Sequence, residues 1–317
     1  MDMKLRTKVF VAVGILIGLP VIAIVLVPIV FRERIVARVK AEVNQAVEAR
    51  VDWRDAGLSL FGDFPNLTLT LDELSIAGKR LFAGDTLARI HRLDLVLDLG
   101  TVWRNYRGGD AIVVRSVELE RPVIALKVLE DGSANWDITK KKAATAQQTS
   151  SPFKLSLEKL DIRSATISLD DRKSRLFASL VGYRQSLSGD FATDLFTIAT
   201  QAHGDSVTVR FAGIPYLNHV ALDLDVDVNA DMRNKTSRKF TLAKNQIRLN
   251  DLRLALTGFA VTRGDNVALD LAFNTPRTDF RHILSLVPAI YMRDFQKLKT
   301  AGVLTLYSRS LGALDHR

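Results

Sequence analysis

Not one of the 317 residues is cysteine, which excludes a disulfide framework, a Cys-based zinc site and a thiol nucleophile. Histidine is scarce as well. His91, His203, His219, His282 and His316 never fall at metal-ligand spacing, so no metal site is legible. Asp223, Asp225 and Asp227 resemble the start of a calcium loop. Leu and Val sit between them, however, and neither the turn glycine nor the terminal glutamate follows. No Gly-x-Ser-x-Gly elbow, phosphate loop or dinucleotide fingerprint occurs, and the residues give no sign of catalysis or of a cofactor. Aromatic residues make up only 7% of the chain, and none interleaves a basic stripe. A nucleic-acid groove needs that arrangement, so the formal charge of +9 does not imply one.

The charge is regional. Residues 1–50 hold 8 basic and 4 acidic side chains, residues 51–138 hold 10 and 14, and residues 139–317 hold 26 and 17. One stretch has no charge at all. Val9 to Phe31 is 23 uncharged residues, about 35 Å as a helix, enough for a hydrocarbon core of about 30 Å with some tilt. Gly14, Gly18, Pro20 and Pro28 lie inside it, as a membrane helix tolerates. The alternative is a signal peptide, with Lys4, Arg6 and Lys8 as its basic region. The run is long for that, and Arg32, Glu33 and Arg34 follow with no small-x-small site, so residues 9–31 read as an uncleaved transmembrane helix. Basic residues flank both ends, and charge alone leaves the orientation open. From residue 32 to 50, Ile35, Val36, Val39, Val43, Ala46 and Val47 recur at helical spacing. This amphipathic helix either lies on the membrane surface or caps the edge of a following sheet.

Beyond it the period changes to two. Leu67, Leu69 and Leu71 form one alternating row, and Leu93, Leu95, Leu97 and Leu99 a second. Leu222, Leu224, Val226 and Val228 form a third, and Val267, Leu269, Leu271 and Phe273 a fourth. Such rows predict antiparallel strands with one aliphatic and one wet face, the three aspartates lying on the wet one. Turn residues separate them at Arg107-Gly108-Gly109-Asp110, Asp131-Gly132-Ser133, Ala202-His203-Gly204-Asp205 and Arg263-Gly264-Asp265-Asn266. The organisation expected is a first β region at 51–138, a flexible loop at 139–152, and a second β region at 153–303 with a helix near 280–299. The end, 304–317, is atypical and reads as truncated. About a dozen strands would span roughly 55 to 60 Å. A sheet of that size either folds into a packed sandwich or curves around an apolar groove.

Five blocks in order resemble the AsmA-like family of Gram-negative envelope proteins, bacterial relatives of the chorein-type bridge proteins. They are Leu58-Ser59-Leu60-Phe61, Phe64-Pro65-Asn66-Leu67, Phe82-Ala83-Gly84-Asp85-Thr86-Leu87, Asp131-Gly132-Ser133-Ala134-Asn135-Trp136-Asp137, and Thr275-Pro276-Arg277-Thr278-Asp279-Phe280 continued by Leu284 to Tyr291 in the style of Bacteroidetes members. The resemblance implies a mainly β protein with a long, curved antiparallel sheet whose apolar groove holds phospholipid acyl chains. It implies a short cytoplasmic N-terminus (1–8), a single-pass inner-membrane anchor, a periplasmic remainder, and a part in lipid transport and outer-membrane biogenesis. The four aliphatic rows become the groove walls. Phospholipid, the inner membrane and envelope proteins become the partners, with no enzymatic activity. The alternative within the envelope is an assembly scaffold acting through protein contacts. Pro65, Gly84, Gly132 and Trp136 are expected to set turns and pack strands.

Overall fold

The computed structural model of the chain describes residues 32–60, 63–106, 111–138, 153–189, 193–234, 236–263, 266–275, 278–279, 303–304 and 307–314. The apolar run 9–31, the loop 139–152 and the expected helix near 280–299 lie outside the described residues. Among the described residues no helix is long and apolar enough to cross a membrane.

The described residues start with a helix, α1 (Arg32–Ala46), and two short strands, β1 (Ala49–Asp52) and β2 (Asp55–Ser59). There follow β3 (Leu67–Gly78), β4 (Thr86–Leu97), a second helix α2 (Leu99–Tyr106) and β5 (Ile112–Val128). Then come β6 (Phe153–Asp171), β7 (Leu176–Ser188), β8 (Leu195–Phe211), β9 (Ile214–Asp231), β10 (Arg238–Leu249), β11 (Leu252–Arg263) and β12 (Asn266–Asn274). The last three are β13 (Thr278–Asp279), β14 (Val303–Leu304) and β15 (Tyr307–Leu314). Among the described residues thirteen strands form one sheet in the order β1-β3-β4-β5-β6-β7-β8-β9-β10-β11-β12-β15, with β2 following β1 along the same edge of β3. At about 4.8 Å per strand, the twelve abreast span about 53 Å.

The sheet is mixed, not wholly antiparallel as expected, because β5 and β6 run parallel. A parallel neighbour requires a crossover connection. After β5 the chain turns at Gly132, where φ is +89°, and by Ile138 it has reached the far edge, where its carbonyl accepts the Glu48 N–H at 2.6 Å. Four boundaries also move. Helix α1 ends at Ala46, and pairing with β3 begins at Ala49, so the β region starts before residue 51. Leu99 does not extend the β4 row. Asp98 accepts the Thr101 N–H at 2.9 Å, as an N-cap does, and Leu99 opens α2. Ala202 to Asp205 is no turn but lies inside β8. Tyr307 to Leu314, within the end expected to be atypical, pairs residue for residue with β12. An edge strand is held by its backbone ladder, so its alternation can be weak.

The packed core sits at the N-terminal end. Val51, Trp53, Ala56, Leu60, Leu67, Leu69, Leu71, Leu74, Ile90, Leu97 and Val114 form it, with Val36, Val43 and Val47 from the α1 region and Leu99 and Val102 from α2 packed against it. Asn44 fixes α1 on the sheet edge. Its Nδ2 donates to the Val51 carbonyl at 2.8 Å, and its Oδ1 accepts the Val51 N–H at 2.9 Å. The amphipathic helix thus caps the sheet edge, one of the two placements its pattern allowed.

Candidate functional site: the aliphatic face

Directly paired residues of neighbouring strands point to the same side, so register decides whether the four rows meet. Leu67, Leu69 and Leu71 pair with Leu97, Leu95 and Leu93. Leu93 and Leu95 continue to Leu119 and Val117 of β5, and these to Ile162 and Leu160 of β6. Leu160 pairs with Leu187, Leu187 with Thr200, and Thr200 with Val226. Leu222, Leu224 and Val228 run on through Leu249, Ile247 and Leu242. Leu249 and Ile247 pair with Leu252 and Leu254 of β11. Strand β11 in turn sets Leu256, Gly258, Ala260 and Thr262 against Phe273, Leu271, Leu269 and Val267. Every candidate but Leu99 therefore belongs to one side of one sheet.

Burial divides that side in two. Leu67, Leu69, Leu71 and Leu97 are buried in the core, and Leu93 and Leu95 pack against it beneath the helices. From β6 onward the packing among the described residues is between neighbouring strands of the sheet. Leu222, Leu224, Val228, Val267, Leu269 and Leu271 are only half-buried, Phe273 is exposed, and Val226 is the buried exception. Among the described residues, then, the aliphatic side is packed over β1–β5 and uncovered by helix over β6–β12.

A second feature was not legible as a row. In each of β3 to β9 the apolar alternation slips by one residue near mid-strand. Leu67, Leu69 and Leu71 give way to Leu74 and Ile76 in β3, and Val117 and Leu119 to Pro122 and Ile124 in β5. In β6, Leu160 and Ile162 give way to Ala165 and Ile167. At or beside the slips stand Glu73, Arg121, Ser164, Gly182 and His219, all with positive φ. Such a left-handed residue kinks its strand and turns the following side chains by one position, which keeps both halves of a strand apolar on the same side; from β3 to β6 the neighbouring strands slip together, so the ladder keeps its register. Leu71 and Leu74 duly share one core. The slips form a line. Leu74 pairs with Ile90 and Ile90 with Pro122, while Ala165 pairs with Tyr183. The residues beside this line are among the best buried: Pro122 and Ala165 are fully buried, and Val220 is 2% exposed. Tyr183 also sits there, its phenol pushed up by burial and donating to Gln185 Oε1 at 3.0 Å. The sequence signal was present but misread, since the glycine and aspartate of Ala202-His203-Gly204-Asp205 mark the line and not a turn.

The opposite side is polar and ion-paired. Asp72, Arg92, Glu120 and Arg163 alternate in sign across four strands. His203 lies between Asp223, 2.6 Å from Nδ1, and Asp205, 3.0 Å from Nε2, and the Asp223 carboxylate foremost raises its pKa. Asp223 also receives Arg248 at 2.6 Å, and His203 and Arg248 hold its carboxyl below the usual range. The Asp223 row is thus a wet strand face. Among the described residues no group of His, Asp and Glu is arranged to hold a metal ion.

The turn motif at Asp131 to Asp137 is structural. Asn135 is 3% exposed, donates to the Ala125 carbonyl at 2.7 Å, accepts the Lys127 N–H at 2.9 Å, and gives its own N–H to the Lys127 carbonyl. It replaces β4 as the partner of β5 beyond the point where β4 begins. Gly132 and Gly84 take positive φ in their turns, as read. Trp136, in contrast, is 43% exposed.

Over the described residues, the fold and this face define a mainly β protein whose long sheet has one predominantly aliphatic side and a small helical cap. The AsmA family model matches residues 3–305, and the chain belongs to the AsmA family. A comparison with curated proteins found no match.

Proposed function

We propose that the chain is a non-enzymatic, inner-membrane-anchored periplasmic protein that holds phospholipid acyl chains on its aliphatic sheet face and contributes to lipid transport and outer-membrane biogenesis. One observation carries the reading: aliphatic side chains recur on the same side of every strand from β6 to β12, interrupted only by single polar residues such as Gln185, Thr200 and Asn245, mostly half-buried and with no helix of the described residues over them. An apolar surface of that extent is costly in water unless something apolar covers it. Acyl chains are the ligand that needs an apolar wall and no chemistry.

The line of kinks supports a groove. A left-handed residue bends its strand locally, and a row of them bends the sheet along an axis crossing the strands. Ala165 and Val220 are shielded on the apolar side although no described helix lies over them. That shielding fits the inside of a bend, where flanking rows of the same strands close over the crease. The groove would run along the stacking direction, closed at the α1 and α2 end. Lipid would then occupy β6–β12, and Leu67, Leu69, Leu71, Leu93, Leu95 and Leu97 would serve the packed end.

The test is phospholipid transfer between donor and acceptor vesicles by the full chain, comparing the native protein with Leu224→Asp. A carboxylate on the half-exposed wall repels acyl chains without burying a charge in a sealed core. Transfer should be lost while the circular dichroism spectrum stays native. Undiminished transfer by a folded Leu224→Asp protein would sink the reading.

A further inference from the structure

Two aromatic side chains stand out on one edge of the sheet. Phe64, in the β2–β3 connection, is 76% exposed, and Trp103, in α2, is 54% exposed. Both are held outward by well-made local structure. Asn66 donates its N–H to the Asp63 carbonyl at 2.7 Å, and Thr68 Oγ1 donates to Asp63 Oδ2 at 2.7 Å, fixing the turn that carries Phe64. In α2, Leu99 and Val102 pack on the core, which leaves Trp103 and Arg104 exposed. The two connections share an edge because β3 begins where β4 ends, Leu67 pairing with Leu97.

The chain from the uncharged run enters at the same edge. Asn44 meets Val51, while Lys40, one turn earlier, forms an ion pair with Asp52 and lies 5.1 Å above the Trp53 ring. Helix α1 therefore runs antiparallel to β1, and its N-terminus points along β2 toward the start of β3. Arg32, the first residue of α1, directly follows Phe31, the last residue of the uncharged run. If that run spans a bilayer, the headgroup layer meets the protein at this corner, where an amphipathic tryptophan with a neighbouring arginine is favoured and an exposed phenylalanine finds an apolar boundary to enter.

We propose that the edge formed by the β2–β3 connection and α2 docks on the bilayer surface, with Phe64 and Trp103 seated at the headgroup level, so that the protein stands on its own membrane by this corner and does not swing freely on its anchor. The proposal rests on the anchor reading of residues 9–31. The opposite edge also exposes apolar side chains, Leu81, Trp136 and Phe211 among them, but α1 points away from it.

The three tryptophans make the test direct. Trp53 is buried in the core and serves as a shared background, while Trp103 and Trp136 mark opposite edges. The full chain is reconstituted into phosphatidylcholine vesicles with brominated acyl chains, as W136F, which keeps Trp103, and as W103F, which keeps Trp136. Above the Trp53 background, the Trp103 share of the W136F emission should be largely quenched, with its maximum shifted to the blue, and the emission of W103F should change little. Quenching of W103F but not W136F would place the other edge on the membrane, and quenching of neither would mean that no edge docks. Either result overturns the proposal. Repeating the measurement in a Leu224→Asp background separates the membrane from lipid held on the sheet, since docking predicts that the W136F signal survives. Carbonate extraction separates the anchor: protein washed off the vesicles sinks the anchor reading itself, whereas retained but unquenched W136F sinks docking alone.

Discussion

Truncating one leucine at each end of the aliphatic face should have very different costs. Leu69 and Leu224 sit in the same continuous face, in the same chemical class and on the same side of one sheet. Leu69 is 7% exposed, within the core closed by α1 and α2. Leu69→Ala removes buried methyl and methylene groups and leaves a cavity that the helices cannot fill, and should cost about 3 kcal/mol. Leu224 is half-buried, with strand neighbours but no described helix above it. Leu224→Ala forfeits only part of that transfer energy and leaves no sealed cavity, about 1 kcal/mol. In a chain of this size the corresponding drops in melting temperature are about 4 to 5 °C and about 1.5 °C. Thermal denaturation of the full chain, followed by circular dichroism, reads both directly. Equal losses would refute the division of the face, large ones implying a sealed core throughout and small ones an open N-terminal end.

Three further outcomes follow from individual side chains. Gly258 has φ of +128°, and an added Cβ would lie 1.9 Å from the Asp270 carbonyl oxygen of β12; Gly258→Ala should cost about 3 kcal/mol or more in thermal unfolding, whereas Gly213→Ala, strained but facing open space, should cost about 1 kcal/mol. Asp223 and Asp205 raise the pKa of His203 in the folded state, so protonation favours folding. That stabilisation is full below the unfolded value of about 6.5 and is lost as pH rises through the folded value above it, so the melting temperature should fall across that window in the native protein and not in His203→Gln. Asp98→Ala removes the α2 cap and the partner of Arg115, 2.6 Å away, and should lower stability by about 1 to 2 kcal/mol. Arg115 and the Thr101 N–H hold the Asp98 carboxyl below its ordinary value, so its contribution is present above about pH 4 and disappears as pH falls through the lower folded value.

Strand identity was legible because alternation with period two is a local property. The rows at Leu67, Leu93, Leu222 and Val267 all lie on one face of the sheet. Register was not legible, and with it the parallel β5–β6 pair, because pairing is set by how the chain travels after Gly132. Leu99 was misread because an alternation of four leucines outweighed Asp98 as a capping residue. The slips at Glu73, Arg121 and Ser164 escaped because a kink at a left-handed residue breaks the very periodicity that identifies a strand. Ala202 to Asp205 shows the same conflict: its composition is that of a turn, but ladder pairing with β7 and β9 on both sides holds it extended. The division of the aliphatic face depended on where α1 and α2 pack, which no single strand records.

The central claim is that acyl chains lie against β6–β12 and not against the packed end. Incorporation of a photoreactive benzoylphenylalanine in place of Leu224, Leu269 or Leu69, followed by irradiation of intact cells and mass spectrometry of the purified full chain, tests it most directly. The account predicts phospholipid adducts at positions 224 and 269 and none at position 69. Protein adducts without lipid at 224 and 269 would contradict it and point to an envelope scaffold, and lipid at 69 would contradict the closed end.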